Sequence, residues 1–145
     1  MENTAAKQYA DSRYKFIKDI DHFALCLKKL DVNQGDHVLL CMPNCPQAIT
    51  AFYAINKIGA VAVMIHPLSA KGEVAFFVDN SDCKVAITLD MFYLNFPEIT
   101  PESKLRNLIV SSMTDALPFA KGFIYKHFLD GKKAPKVDRS KPGIV

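Results

Sequence analysis

The sequence predicts an α/β fold: a mostly parallel sheet with helices on both faces. Three observations predict it. Short, mostly apolar runs recur at Val38–Leu40, Ala60–Ile65 and Lys84–Leu89. Segments of about 10–15 residues with helical periodicity separate them, the spacing of right-handed βαβ crossovers. The runs also lack polar alternation, so each strand is expected to be covered on both sides, as parallel strands are.

The elements follow in order. Met1 to Asp11 is polar and aperiodic and is expected to be a flexible start. From Ser12 to Leu30 a helix is predicted, because Phe16, Ile20, Phe23, Leu27 and Leu30 recur at steps of four and three and stack on one face. Ile17 and Ala24 widen that stripe, and Asn33 and Gly35 punctuate its end. His37–Met42 reads as the first strand, stopped by Pro43. Asn44 is expected to cap the next helix, with Pro46 in its first turn and Gln47 at the capping-box spacing. That helix runs inward through Ala48, Phe52 and Ile55 and closes on Gly59. Ala60–Ile65 follows as a strand of the buried type, ended by Pro67. A third helix over about Ala70 to Asn80 presents Val74, Phe77 and Val78 inward, and Glu73 suits its positive N-terminal end. Asn107–Ser111 reads as a fourth strand, after a short helical turn and a proline-broken loop.

With 145 residues, half of them apolar, the chain holds one core-sized unit. Its longest apolar run, Ala60–Ile65, falls far short of the roughly 20 residues that cross a bilayer, and no N-terminal segment reads as a secretory signal. Cytoplasm is the default expectation. The last 25 residues carry seven Lys and Arg against Asp130 and Asp138, a net +5 in a chain of +3. A solvated basic connector over residues 131–145 is the simple reading. No aromatic-interleaved RNA signature accompanies it, so no nucleic-acid partner is expected. Phe119, Phe123, Ile124, Tyr125 and Phe128 with neighbouring lysines suggest weak membrane-surface contact through 118–133, or packing against the rest of a larger protein.

Candidate chemistry is sparse. Cys41 and Cys45, with His37 and His66, could be drawn as a metal site, but their spacing matches no common zinc pattern. Reduced, mostly buried thiols are the simpler reading. His66 ends a strand, where ligand crevices open in α/β sheets; a packed or backbone-capping histidine is the structural alternative. Ser69 lacks a Gly-x-Ser-x-Gly elbow. Gly35 and Gly59 stand alone, so no dinucleotide fingerprint is present. No residue is assigned a catalytic, cofactor-binding or metal-binding role.

The order of signals nonetheless resembles a known family. In "LKKLDVNQGDHVLLCMPNCPQAITAFYAINKIGAVAVMIHPLSAKGEVAFFVDNSDCKVAITL" there is a Gly-Asp before the first strand and a Pro-Asn after it. A long helix then closes on Gly-Ala, a strand ends in a residue plus Pro, and Glu73 stands early in the next helix. This resembles the first part of the adenylate-forming enzymes: acyl- and aryl-CoA synthetases, luciferases and nonribosomal adenylation domains. The resemblance implies an N-terminal subdomain of the adenylate-forming synthetase fold, over about 12–130. It implies a parent acid–CoA ligase that uses ATP, Mg2+ and coenzyme A on a fatty or other apolar carboxylic acid. The family's Ser/Thr/Gly-rich phosphate loop ending in Pro-Lys-Gly is absent; "GKK" at Gly131–Lys133 lacks its glycine and hydroxyl partners. The chain is therefore expected to be a truncated portion, inactive alone, binding no cofactor and prone to self-association, with residues 131–145 leading toward the ATP-binding part. The alternative is a non-catalytic α/β binding module with a basic tail.

Overall fold

The computed structural model describes residues 4–112 and 135–145. Helix α1 (Thr4–Lys29) precedes β1 (His37–Cys41), α2 (Pro46–Lys57), β2 (Val61–Met64), α3 (Lys71–Asn80) and β3 (Val85–Leu89). A 3₁₀ turn (Asp90–Asn95) then leads to β4 (Asn107–Ser111). The four strands form one all-parallel sheet in the order β2-β1-β3-β4. Val38 pairs with Ala62 on one side and Val85 on the other, and Ala86 pairs with Leu108.

Side chains alternate between two cores because strand period is two. Val38, Leu40, Val85, Ile87 and Leu89 face α1 and α2, whereas Leu39, Cys41, Ala86, Leu108 and Val110 face α3 and the segment around Tyr93 and Phe96. Each fully buried side chain of this size contributes about 1.5–3 kcal/mol. The expected α/β class with both faces covered is the one observed.

A single device joins each helix to the next strand. The second residue past each helix end adopts a left-handed conformation: Asp31 (φ 61°), Gly59 (φ 76°) and Asp82 (φ 54°). The following amide, that of Val32, Ala60 or Cys83, then bonds back to Leu27, Ile55 or Val78. This Schellman geometry satisfies orphan helix carbonyls and drops a buried apolar residue into the core after each turn. Gly59 closes α2 as expected; Asp31, rather than Asn33 or Gly35, closes α1.

Other expectations need correction. The flexible start over 1–11 gives way to helix from Thr4. Thr4–Lys15 has no buried residue among those described, so helix-favouring Ala, Lys and Gln carry it. Arg13 lies over the Tyr9 ring and Lys18 over Tyr14. Asn44 does not cap α2. Cys45 occupies the cap without a side-chain bond, and Gln47 instead donates through Nε2 to the Ser112 carbonyl at 3.1 Å. Pro46 at the first helical position leaves one fewer amide to cap. Phe52 lies outward; Ala48, Ala51, Ala54 and Ile55 form the buried stripe, since small residues let α2 approach the sheet closely. The β2 strand is not fully buried, because it forms the sheet edge and leaves Val61 and Met64 exposed.

The connector expected over 131–145 is, from residue 135, built into the sheet margin. Ile144 bridges Leu108 in parallel. Leu108 N donates to Gly143 O, Val110 N to Val145 O, and Val145 N to Leu108 O. Val137 and Ile144 pack on the α3-side core, and Lys141 pairs with Glu98 at 2.9 Å. The membrane-surface reading of 118–133 lies outside the described residues. Among the described residues, no helix is long and apolar enough to cross a membrane.

Candidate functional site

In open α/β sheets ligands enter beyond the carboxyl ends of the strands, where the strand order reverses. Here the chain passes from β1 outward to β2 and then back across to β3, so that point lies between the ends of β1 and β3. Thr88, the one buried polar residue among the described residues, bridges it by donating its hydroxyl to the Cys41 carbonyl at 3.0 Å. Cys41 Sγ lies 3.9 Å from the His66 carbonyl. Burial pushes the Cys41 thiol up to about 11, offset in part by the Thr88 hydroxyl. Burial also raises Cys83, with Ser81 opposing and Asp82 adding to the rise. Both are inert, protonated thiols near neutral pH rather than nucleophiles.

His66 is exposed at the end of β2. Its Nδ1 accepts the Leu68 amide at 3.2 Å and its carbonyl accepts the Ser69 amide at 3.0 Å, so it organises its own turn. Ser69 is held by Asn95, which donates to its carbonyl. His37 Nδ1 lies 2.7 Å from the Ser81 carbonyl. His37, Cys41, Cys45 and His66 do not form a ligand set; among the described residues no three His, Cys, Asp or Glu side chains come together as metal ligands.

Two grooves flank the sheet. One of about 390 Å³ lies between α1, α2 and the ends of β1, β3 and β4, with Phe23, Met42, Ile87 and Ile109 on its walls. Gln47 lines it, and its Oε1 is buried without a partner among the described residues; its capping-box spacing from Asn44 suggests only a capping role for this residue. The other groove, about 340 Å³, lies under the 97–100 loop and the C-terminal strand, between Lys71, Glu98 and Lys141. A hydrogen bond from Lys141, its charge and that of Lys71 hold the Glu98 carboxyl below its ordinary range.

Among the described residues, neither groove is lined by a glycine-rich phosphate loop. The turn after β1 carries Pro43, Asn44, Cys45 and Pro46, with no glycine to expose amides and one amide missing at Pro46. The start of α3 is already taken by Glu73, whose carboxylate accepts the Ala70 amide at 2.9 Å. Lys15, beside the first groove, is paired with Asp19 at 2.7 Å. The turn after β1 thus has no glycine-rich loop, and the first amide of α3 is already bonded, so neither reproduces a phosphate cradle.

The joints singled out in the sequence are structural. Gly35 donates to the Gly59 carbonyl, the Asp36 carboxylate accepts the Asn33 amide at 2.7 Å, and the Val61 amide donates to the Asp36 carbonyl. These bonds tie the beginnings of β1 and β2 together.

Comparison with known proteins sets this scaffold in context. Residues 12–141 match the family described as AMP-binding enzyme. A long-chain-fatty-acid–CoA ligase of Bacillus subtilis is 27% identical over 112 residues, covering 77% of this chain and 20% of the relative. A crotonobetaine/carnitine–CoA ligase of Escherichia coli is 31% identical over 112 residues, covering 74% and 21%. The crystal structure of coronafacic acid ligase from Pectobacterium brasiliense superposes with a TM-score of 0.60 at 25% identity, over 68% of this chain and 20% of that one. The chain thus spans about a fifth of the length of the relatives it matches.

Proposed function

Because the chain belongs to the AMP-binding enzyme family, we propose that it forms the N-terminal part of an ATP-dependent acid–CoA ligase. The parent would activate a carboxylic acid by adenylation, with ATP and Mg2+, and then form the coenzyme A thioester. The chemical problem is charge: an anion attacks a polyanion, so cations and amide dipoles must meet the developing charge. In this reading no described residue is assigned to that work. The part of the described residues is to hold the sheet from whose carboxyl ends other segments work. Residues 131–145 lead toward those segments, with Gly143–Val145 already aligned beside β4.

The match over 12–141 carries the reading, because it runs through every strand and every joint described above. A fatty or other apolar acid is the substrate class we favour. Support comes from the fatty-acid ligase of Bacillus subtilis; the carnitine and coronafacic acid ligases mark the range to be tested.

The test has two arms. The isolated 145 residues are expected to give no ATP–pyrophosphate exchange with any acid; robust exchange would overturn the division of labour. The full reading frame containing them is expected to encode a Ser/Thr/Gly-rich loop ending in Pro-Lys-Gly soon after Val145 and to show acid-dependent exchange. A full-length product with the loop but no exchange on fatty acids, carnitine or coronafacic acid would refute the ligase reading.

A further inference from the structure

The α2 helix carries large apolar side chains on its outer side as well as its inner one. Its inner stripe of Ala48, Ala51, Ala54 and Ile55 meets the sheet, while its outer side carries Ile49, Phe52 and Tyr53. A helix with this pattern belongs in an interior. Here its outer side is open. Alongside, α1 contributes Ile17, with Phe16 edge-on to Tyr53 at 6.1 Å; Tyr53 is in turn edge-on to Phe52 at 5.7 Å. Ile17, Ile20 and Tyr53 share one shallow depression with Asp21, Asn56 and Lys57.

We propose that this outer α1/α2 face is a self-docking surface, covered in solution by a second copy of the chain through a two-fold interface. Two observations favour that occupant. The first is area. Ile17, Ile49, Phe52 and Tyr53 are 51%, 49%, 37% and 52% exposed. At roughly 150–200 Å² for each ring and somewhat less for each Ile, these fractions leave about 300 Å² of open apolar surface. A stable interface buries about 800 Å² per partner, a little under 60% of it apolar, or roughly 450 Å². The patch supplies most of the apolar share, and its polar margin supplies the rest.

The second is charge. A two-fold contact sets each patch against itself, so any unpaired charge beside it would meet its own kind. At the depression itself Lys57 is paired with Asp21, so this pair meets its two-fold copy as a neutral unit. Like-charge repulsion is therefore small, and burial of the rings drives association.

Sedimentation equilibrium of the 145-residue chain across a concentration series tests this. A monomer–dimer equilibrium is expected. Tyr53→Lys should raise the dimer dissociation constant at least about tenfold, the scale of a central aromatic anchor. Ile49→Lys, at a similarly exposed site, should act in the same direction. Leu68→Lys, on an exposed loop away from the helices, should leave the constant within about twofold. Retained far-UV circular dichroism shows that each variant is folded; if one is not, the other α2 variant decides. A chain that is monomeric throughout the series overturns the proposal. So does a dimer indifferent to both α2 variants, or one abolished by Leu68→Lys. These outcomes are independent of nucleotide exchange, so failure here leaves the ligase reading untouched.

Discussion

Gly143→Ala should detach the C-terminal strand from β4 while leaving the other four strands paired. Gly143 sits at φ 75°, and a Cβ there would fall on the Arg106 carbonyl oxygen and within 2.9 Å of Ile99 Cδ1. The left-handed conformation alone costs an alanine about 1–2 kcal/mol, and the backbone oxygen cannot swing aside as a side chain would. The lesser cost is for residues 143–145 to let go, giving up three hydrogen bonds at about 1 kcal/mol each. Docking should therefore weaken by about 2–3 kcal/mol, which corresponds to a roughly 30- to 150-fold loss of amide protection. Hydrogen exchange read residue by residue is the assay, and the sheet supplies its own control. The amides of Leu108, Val110 and Val145 take part in the tail pairing, whereas the β3–β4 pairing of Asn107–Ser111 with Val85–Leu89 lies on the opposite edge of β4. Leu108, Val110 and Val145 should lose protection while the β3-facing amides of β4 keep theirs. Unchanged protection at Leu108 and Val110 would refute the reasoning.

Two further outcomes follow from the core and its joints. Cys41 should make stability fall as pH rises. Its folded value is raised to about 11 from 9.0, so between those values the unfolded chain has released a proton that the folded chain retains. That thiol's contribution is complete below about pH 9 and is lost as pH climbs through 11, at up to about 1.4 kcal/mol per unit. Urea midpoints should decline over that range more steeply than in Cys41→Ala, with Cys83 adding a residual slope in the same direction. Equal slopes would count against the buried-thiol account. Gly59→Ala should lower stability by about 1–2 kcal/mol in urea titration. The positive φ is the main cost, because the atom its Cβ would meet, Gln34 Cγ at 2.9 Å, belongs to an exposed and movable side chain; a neutral result would remove the left-handed joint as a determinant.

How much was legible in the sequence differs from one element to the next. The apolar runs at Val38–Leu40 and Lys84–Leu89 read as doubly covered strands, and they are, because side chains lying on both faces leave no polar alternation. Val61–Met64 reads the same way yet lies at the edge. Local sequence carries no record of which strands flank another; that depends on β3 crossing back past β1. Of the candidate site, the sequence showed the turn residues at the ends of β1 and β2 but not the side chains that meet there. The Gln47 contact to Ser112 joins residues 65 positions apart and has no local signature. The three left-handed joints did leave one, in Leu-Asp-Val, Ile-Gly-Ala and Ser-Asp-Cys at the helix ends, which helix-end reading weighted toward glycine passes over.

The sequence by itself determined the class, the element order and the family resemblance, because periodicity and turn chemistry act within a few residues. Only the tertiary structure decided the rest: the strand order, the outward side of α2 and the pairing of Ile144 with Leu108. Each of these is a contact between distant segments, selected by which apolar faces can be buried together and not by any local preference.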